Sequence, residues 1–250
     1  MIKFFRKIRQ NLLSEGNTGK YLKYAIGEIV LVVIGILIAL AINNWNQERL
    51  NDKKELDLLV NLKEDLHLNI SMMLQLDSVY AAEEEACKKG MGILKDVATV
   101  EEFLQADSLI STRWEVFMVN KITYDEMLNN GSFYSLKNKT LQESIRTHFI
   151  QANNYVKDFE EINENGQDIA HNNEELFIVE LLQDRKGERN SNAKELDTTW
   201  ISDYNSPIYL TFYKKAKYFT NTNKLRRKMI SRFIKSRNDL SAEIEIELEN

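Results

Sequence analysis

Apolar positions along the chain form one uninterrupted block followed by a series of helical stripes. Residues 29–42 read IVLVVIGILIALAI without a polar side chain, and extension back to Tyr24 admits a single charge, Glu28. As a helix, residues 24–42 would measure roughly 28 Å, close to the ~30 Å hydrocarbon layer of a bilayer. Tyr21 and Tyr24 near its start and Trp45 just after it suit aromatic anchoring at the two interfaces. Beyond the block, Leu59, Leu62, Leu66, Met73, Leu76 and Tyr80 recur at steps of three and four, interrupted by Asn69. No Gly or Pro separates Ile42 from Ala86. The pattern predicts a helix that leaves the membrane and carries on into the following domain until Gly90 and Gly92 end it.

Shorter elements follow. Thr99 with Glu102, and Thr123 with Glu126, have the spacing of capping boxes. The second would open a short helix that stops at Asn130-Gly131. Asn138 is placed to cap the next helix, where Leu141, Ile145, Phe149, Ala152, Val156, Phe159 and Ile162 make one apolar stripe. Helical character resumes after Gly166, from Ile169 to Leu182, and residues 184–199 read as an exposed, charged, Asn-rich loop. Asn205-Ser206-Pro207 is a helix start. Phe212, Ala216, Phe219, Leu225, Met229, Phe233, Leu240 and Ile244 then predict one or two long closing helices, with residues 243–249 as a frayed end. The fold class is mainly α: one N-terminal transmembrane helix continuing into an extracytoplasmic helical bundle. Residues 1–23 form a cytoplasmic basic amphipathic segment, 24–42 the span and 43–250 the outer domain.

Composition agrees with this. One Pro and nine Gly in 250 residues leave few turns, which favours long helices over sheet. The net charge of −5, with basic clusters at 3–23 and 224–237 separated by acidic stretches, argues against nucleic acid as a partner. The single Cys87 allows no intrachain disulfide and reads as a small core residue.

Orientation follows from the flanking cations. Lys3, Arg6, Lys7, Arg9, Lys20 and Lys23 precede the span, whereas Arg49, Lys53 and Lys54 after it are mixed with Glu48, Asp52 and Glu55. The positive-inside rule keeps the N-terminus in the cytoplasm and puts the rest in the periplasm of a Gram-negative cell. Ile2, Phe5, Ile8 and Leu12 among those cations read as an amphipathic helix on the inner leaflet, and residues 16–19 as the turn into the membrane. Ala39-Leu40-Ala41 resembles a signal-peptidase site. The long region before the apolar core and the unbroken pattern beyond Trp45 favour an uncleaved anchor.

Candidate chemistry is sparse. Glu28, Gly35 and Ala39 share one helix face, and Gly35 with Ala39 makes a small-xxx-small spacing, so the three are candidates for a homo-oligomeric helix contact in the membrane. Glu28 at headgroup depth, pairing with Lys20 or Lys23, is the simpler alternative. Glu64 with His67 and Asp168 with His171 have the spacing of helical metal ligands, but further ligands are not singled out among 38 acidic residues, so neither metal nor cofactor is assigned. Glu83-Glu84-Glu85 and the cluster Lys224, Arg226, Arg227 and Lys228 read as solvated helix faces.

Two stretches carry a resemblance. FFRKIRQNLLSEGNTGKYLKYAIGEIVLVVIGILIALAINNWNQER and TYDEMLNNGSFYSLKNKTLQESI resemble a family of uncharacterised single-pass membrane proteins from Bacteroidota, catalogued as domain of unknown function 6090. The resemblance implies an inner-membrane location and a helical outer domain, and implies no activity or catalytic residue. The functional expectation is a membrane-anchored extracytoplasmic helical interaction module, scaffold-like or sensor-like and not an enzyme. Its partners would be the lipid bilayer and either a second copy or another membrane or periplasmic protein. The alternatives are a subunit of an oligomeric channel or transporter, and a helical-bundle metal-dependent enzyme.

Overall fold

With so few helix breakers, the apolar stripes condense into long helices. The computed structural model describes residues 18–171, 177–182, 190 and 196–249. Helix α1 spans Thr18–Leu94, α2 Val100–Leu109, α3 Ile122–Asn129, α4 Ser132–Ser135, α5 Lys139–His171, α6 Phe177–Leu182 and α7 Pro207–Glu249. A 3-10 turn at Thr199–Ile201 precedes α7, and no strand occurs among the described residues. The amphipathic segment expected at residues 2–12, and most of the loop expected at 184–199, lie outside the described residues.

The chain divides into two units, Met1–Asp57 and Leu58–Asn250, and the boundary falls within α1. In the first unit all side chains of residues 29–51 are exposed, with Leu31 at 72%. This helix is long and apolar enough to cross a membrane, and none of its apolar window is buried inside the protein. The helix already includes Thr18 and Gly19, which the sequence assigns to a turn.

In the second unit burial starts at once with Leu58 and Leu59. Here α1 and α7 share three successive core clusters, the first two of them with α5. Leu62, Leu66, Ile145, Phe149, Leu240 and Ile244 belong to the first. Met73, Tyr80, Phe159, Ile230 and Phe233 belong to the second. Cys87, Leu94, Phe212 and Phe219 from α1 and α7 meet Phe103 of α2 and Trp200 in the third. The order of contacts makes α1 and α5 parallel and α7 antiparallel to both. The capping box at Thr99 and Glu102 is present, and Asn138 Oδ1 accepts from Leu141 N at 3.0 Å. Gly131 adopts φ +77°, the left-handed stop that only glycine takes easily.

Four expectations are corrected. α1 does not end at Gly90 but continues to Leu94, because α2 crosses there: a Cβ on Gly90 would lie 2.7 Å from Ile110 Cγ1 and 2.8 Å from the Ala106 carbonyl. Gly166 does not interrupt α5, which runs through it to His171. Thr123 caps nothing. It lies inside α3, and its N–H is taken at 2.8 Å by Asp65 Oδ2 from α1. Leu225 is exposed, since the inward register of α7 passes through Arg226 instead.

Between α2 and α3, residues 111–121 form a strap with neither helix nor strand. It buries Phe117 against Phe159 and Phe233, and stacks Trp114 edge-on to Phe219. Trp114 also fills the space above Gly166, where a Cβ would meet its ring at 2.5 Å. Gly166→Ala should therefore destabilise the protein by about 1–2 kcal/mol in urea unfolding, even though alanine is the better helix former by about 1 kcal/mol. An unchanged or raised stability would show that Trp114 moves aside without cost.

Candidate functional site

The strap crosses α1 on a row of polar side chains. Asn69 pairs twice with Asn120, accepting from its N–H at 2.7 Å and donating to its carbonyl at 2.9 Å. Asp65 accepts from Asn120 Nδ2 at 2.9 Å as well as from Thr123 N. Farther along, Glu83 Oε2 accepts from Arg113 N at 2.9 Å, Tyr80 donates to the Glu115 carbonyl, and Cys87 Sγ donates to the Ser111 carbonyl. Burial pushes the Cys87 thiol up to about 11, so it is a protonated donor at neutral pH.

The far side of this seam is a cation. Arg226 sits on the inward stripe of α7, one heptad from both Phe219 and Phe233, and is fully buried. Its Nη1 donates to Thr112 Oγ1 at 3.1 Å and Asn223 Oδ1 at 3.0 Å, and its Nη2 to Asn163 Oδ1 at 2.6 Å. The guanidinium lies 4.8 Å from the Tyr80 ring centre and 6.0 Å from that of Trp114. Thr112 Oγ1 lies 3.0 Å from Glu83 Oε2 and 2.8 Å from Asn223 Oδ1, with one proton to give. Burial lowers the Arg226 pKa while Tyr80, Tyr218 and Glu83 oppose it; a guanidinium remains charged. Burial pushes the Tyr80 hydroxyl up to about 12 in spite of Arg226 beside it. Arg226 Nε and Asn223 Nδ2 are buried and have no hydrogen-bond partner among the described residues. The guanidinium itself has no exposed surface, and its charge orders the strap. Next to it Arg227 bridges Asp77 at 3.1 Å and Glu84 at 3.0 Å. Burial works to raise the Glu84 pKa, but its bonds to Lys88 and Arg227 outweigh that and hold it low.

These contacts correct the expectation of solvated charge runs. Within the acidic run only Glu85 is exposed, and within the basic cluster Arg226 is core. Their register was the available signal: Glu84 falls between Tyr80 and Cys87, and Arg226 between Phe219 and Phe233, on stripes otherwise apolar.

A second locus is an open cleft of about 740 Å³ between α5 and α7, lined by Thr147, His148, Ser236, Asp239 and Glu243 among others. His148 is buried between Phe149 and Phe233, with Nδ1 3.0 Å from Ser236 Oγ and Nε2 without a partner among the described residues. Burial, helped by the neighbouring Arg237, lowers its pKa to about 4. A serine beside a histidine is the start of a nucleophile–base pair. Here nothing orients the imidazole from Nε2, and the helical N–H groups around Ser236 are engaged within α7 rather than free to form an oxyanion hole.

The residues singled out in the apolar segment belong to the first unit. Gly35 and Ala39 are exposed, Glu28 is half-buried, and a Cβ on Gly35 would meet nothing within 4 Å. Glu64, His67, Asp168 and His171 all face solvent. No group of three or more His, Cys, Asp or Glu side chains converges as a metal site among the described residues.

The model of a family of unknown function, DUF6090, matches residues 28–161. That stretch includes most of the apolar span, the strap and its α1 partners, and leaves α7 outside. No curated protein and no solved structure matches the chain.

The buried imidazole gives a signed pH response. A His neutral in the fold and basic when unfolded favours the folded state fully above about pH 6.5, and that contribution is lost as pH falls toward 4. His148→Phe should remove about 3 kcal/mol of the stability difference between pH 7 and pH 4, read from urea unfolding at both values. Parallel pH curves for the two proteins would count against a neutral buried imidazole.

Proposed function

The chain belongs to the DUF6090 family, a family of unknown function, and from that premise we propose that it is a membrane-anchored helical interaction module rather than an enzyme. The observation that carries this is the division of α1. Its first part exposes an apolar surface that only lipid or another apolar helix would cover, and its second part is fully integrated in a packed bundle. The cation excess before the span supports an N-terminus in the cytoplasm and a bundle outside the cytoplasmic membrane. The non-enzymatic reading draws on the two polar loci: one keeps its cation fully buried, and the other pairs Ser236 with a histidine too weakly basic to activate it.

The module self-associates through the open face of the span. Gly35 and Ala39 allow close helix approach, and the free space at Gly35 is room for a second backbone.

Two experiments test this reading. Alkaline phosphatase fused after residue 250 should be active and green fluorescent protein there dark, with the reverse at the N-terminus; a fluorescent C-terminal fusion would overturn the orientation. Gly35→Leu should reduce self-association several-fold in a membrane two-hybrid assay, and an unchanged signal would remove the helix contact.

A further inference from the structure

Between residues 207 and 238 the sequence of α7 holds no Asp or Glu. Some of its cations are taken up inside the unit: Arg226 and Arg237 are buried, Lys215 binds Asp107, and Arg227 binds Asp77 and Glu84. Lys214, Lys217, Lys224, Lys228, Arg232 and Lys235 are exposed instead, and none forms an ion pair among the described residues. At 100° per residue they fall within an arc of about 80°. Helix α5 has the opposite bias in its second half. From Asp158 to His171 it holds no Lys or Arg, and Asp158, Glu160, Glu161 and Glu164 are exposed there without an ion pair among the described residues.

The two rows stand at the same height on neighbouring helices. Three contacts set the antiparallel register of α5 and α7: Tyr218 to the Ile162 carbonyl, Arg226 to Asn163, and Ser236 to His148. With a rise of ~1.5 Å per residue, Lys224 then lies near the level of Glu161, and Lys228 near that of Asp158. Both rows border the seam between the helices. Asp158 follows Thr147, which lines the cleft between α5 and α7, by roughly three turns and so shares its side of α5. Leu225 precedes Ser236 by roughly three turns, which places it on the α5 side of the lysine arc, between the rows. It is 46% exposed.

We propose that this α5–α7 surface pairs with the same surface of a second copy, about a two-fold axis parallel to the helices. Such an axis exchanges α5 and α7 across the contact and leaves every residue at its own height. Each acidic row then meets the basic row of the other copy, and the two meetings form together. A two-fold axis lying across the helices would set α7 against α7 and cations against cations, which costs free energy. At the centre the Leu225 side chains of the two copies meet, an apolar middle inside a charged rim. Opposed rows of this kind fix orientation and speed encounter, and they weaken as salt rises. The contact lies wholly within the second unit and is separate from the span contact at Gly35.

The test uses full-length protein in mild detergent, with association read by analytical ultracentrifugation. One variant combines Lys217→Glu, Lys224→Glu and Lys228→Glu, and the other Asp158→Lys, Glu161→Lys and Glu164→Lys, all at exposed positions. The parent and both variants also carry Gly35→Leu, so that the span contact does not contribute. The parent should dimerise at low salt and dissociate at high salt. Each charge variant alone should associate about tenfold more weakly, and a mixture of the two should regain a dimer containing both. A second measurement mixes a Lys224→Cys chain with a Glu161→Cys chain under mild oxidation. A disulfide-linked dimer should form in the mixture and not with either chain alone. A product as strong with Lys224→Cys alone would set α7 on α7 and overturn the pairing. So would weakened association in the basic-row variant with the acidic-row variant unaffected, which would assign the lysines to another anion. A folded Gly35→Leu parent that stays monomeric at low salt would overturn this contact and leave the span contact standing. Association unchanged by Gly35→Leu and abolished by either charge set would do the reverse.

Discussion

Residues 111–121 cross a helical bundle without belonging to a helix or a ladder, and buried backbone donors and acceptors cannot be left without partners. The bundle meets that requirement with side chains. Asn69 and Glu83 of α1 bond the strap's backbone near its two ends, Asp65 holds the Asn120 side chain, and Asn163 of α5 donates to the Glu115 carbonyl. Much of the polar character inside this fold follows from that one demand. Arg226 compensates on the opposite side, feeding protons to Thr112, Asn223 and Asn163 while its face packs on aromatic rings.

An apolar helix pair slides easily by one turn, because one leucine replaces another at little cost. A buried guanidinium bound to three named oxygens does not, because displacing it would strand both the charge and its acceptors. Arg226 and the paired amides of Asn69 and Asn120 thus select one register for α1, the strap and α7. Farther along, Arg237 adds a similar constraint by donating to the Leu66 carbonyl at 2.7 Å.

The long helices were legible because periodicity is a local signal. The stripe of α5, the start of α7 at Pro207 and the stop at Gly131 all follow from spacing and from the conformational limits of proline and glycine. What failed was nonlocal. Gly90 and Gly166 look like breaks in one dimension; in three they make room for Ile110 and Trp114, which lie far off in sequence or on another element. Thr123 has a capping-box spacing, but Asp65 supplies the bond that a cap would have made. For the charge runs, register outweighs composition. Arg226 and Glu84 occupy positions that the apolar stripes reserve for the core, and position decided their burial. In the apolar span the sequence and the structure agree only that the helix is exposed and long enough to cross a membrane.

Cys87 occupies a particular place in this arrangement. Its thiol lies beneath the first residues of the strap, bonded to the Ser111 carbonyl, fully buried and held protonated. A thiol-directed reagent reaches it only when the packing around it opens, so its rate of modification relative to that of a free thiol reports the opening equilibrium of the surrounding structure. The chain's single cysteine is thereby a native reporter on the strap, which side chains of α1 and α7 hold in place.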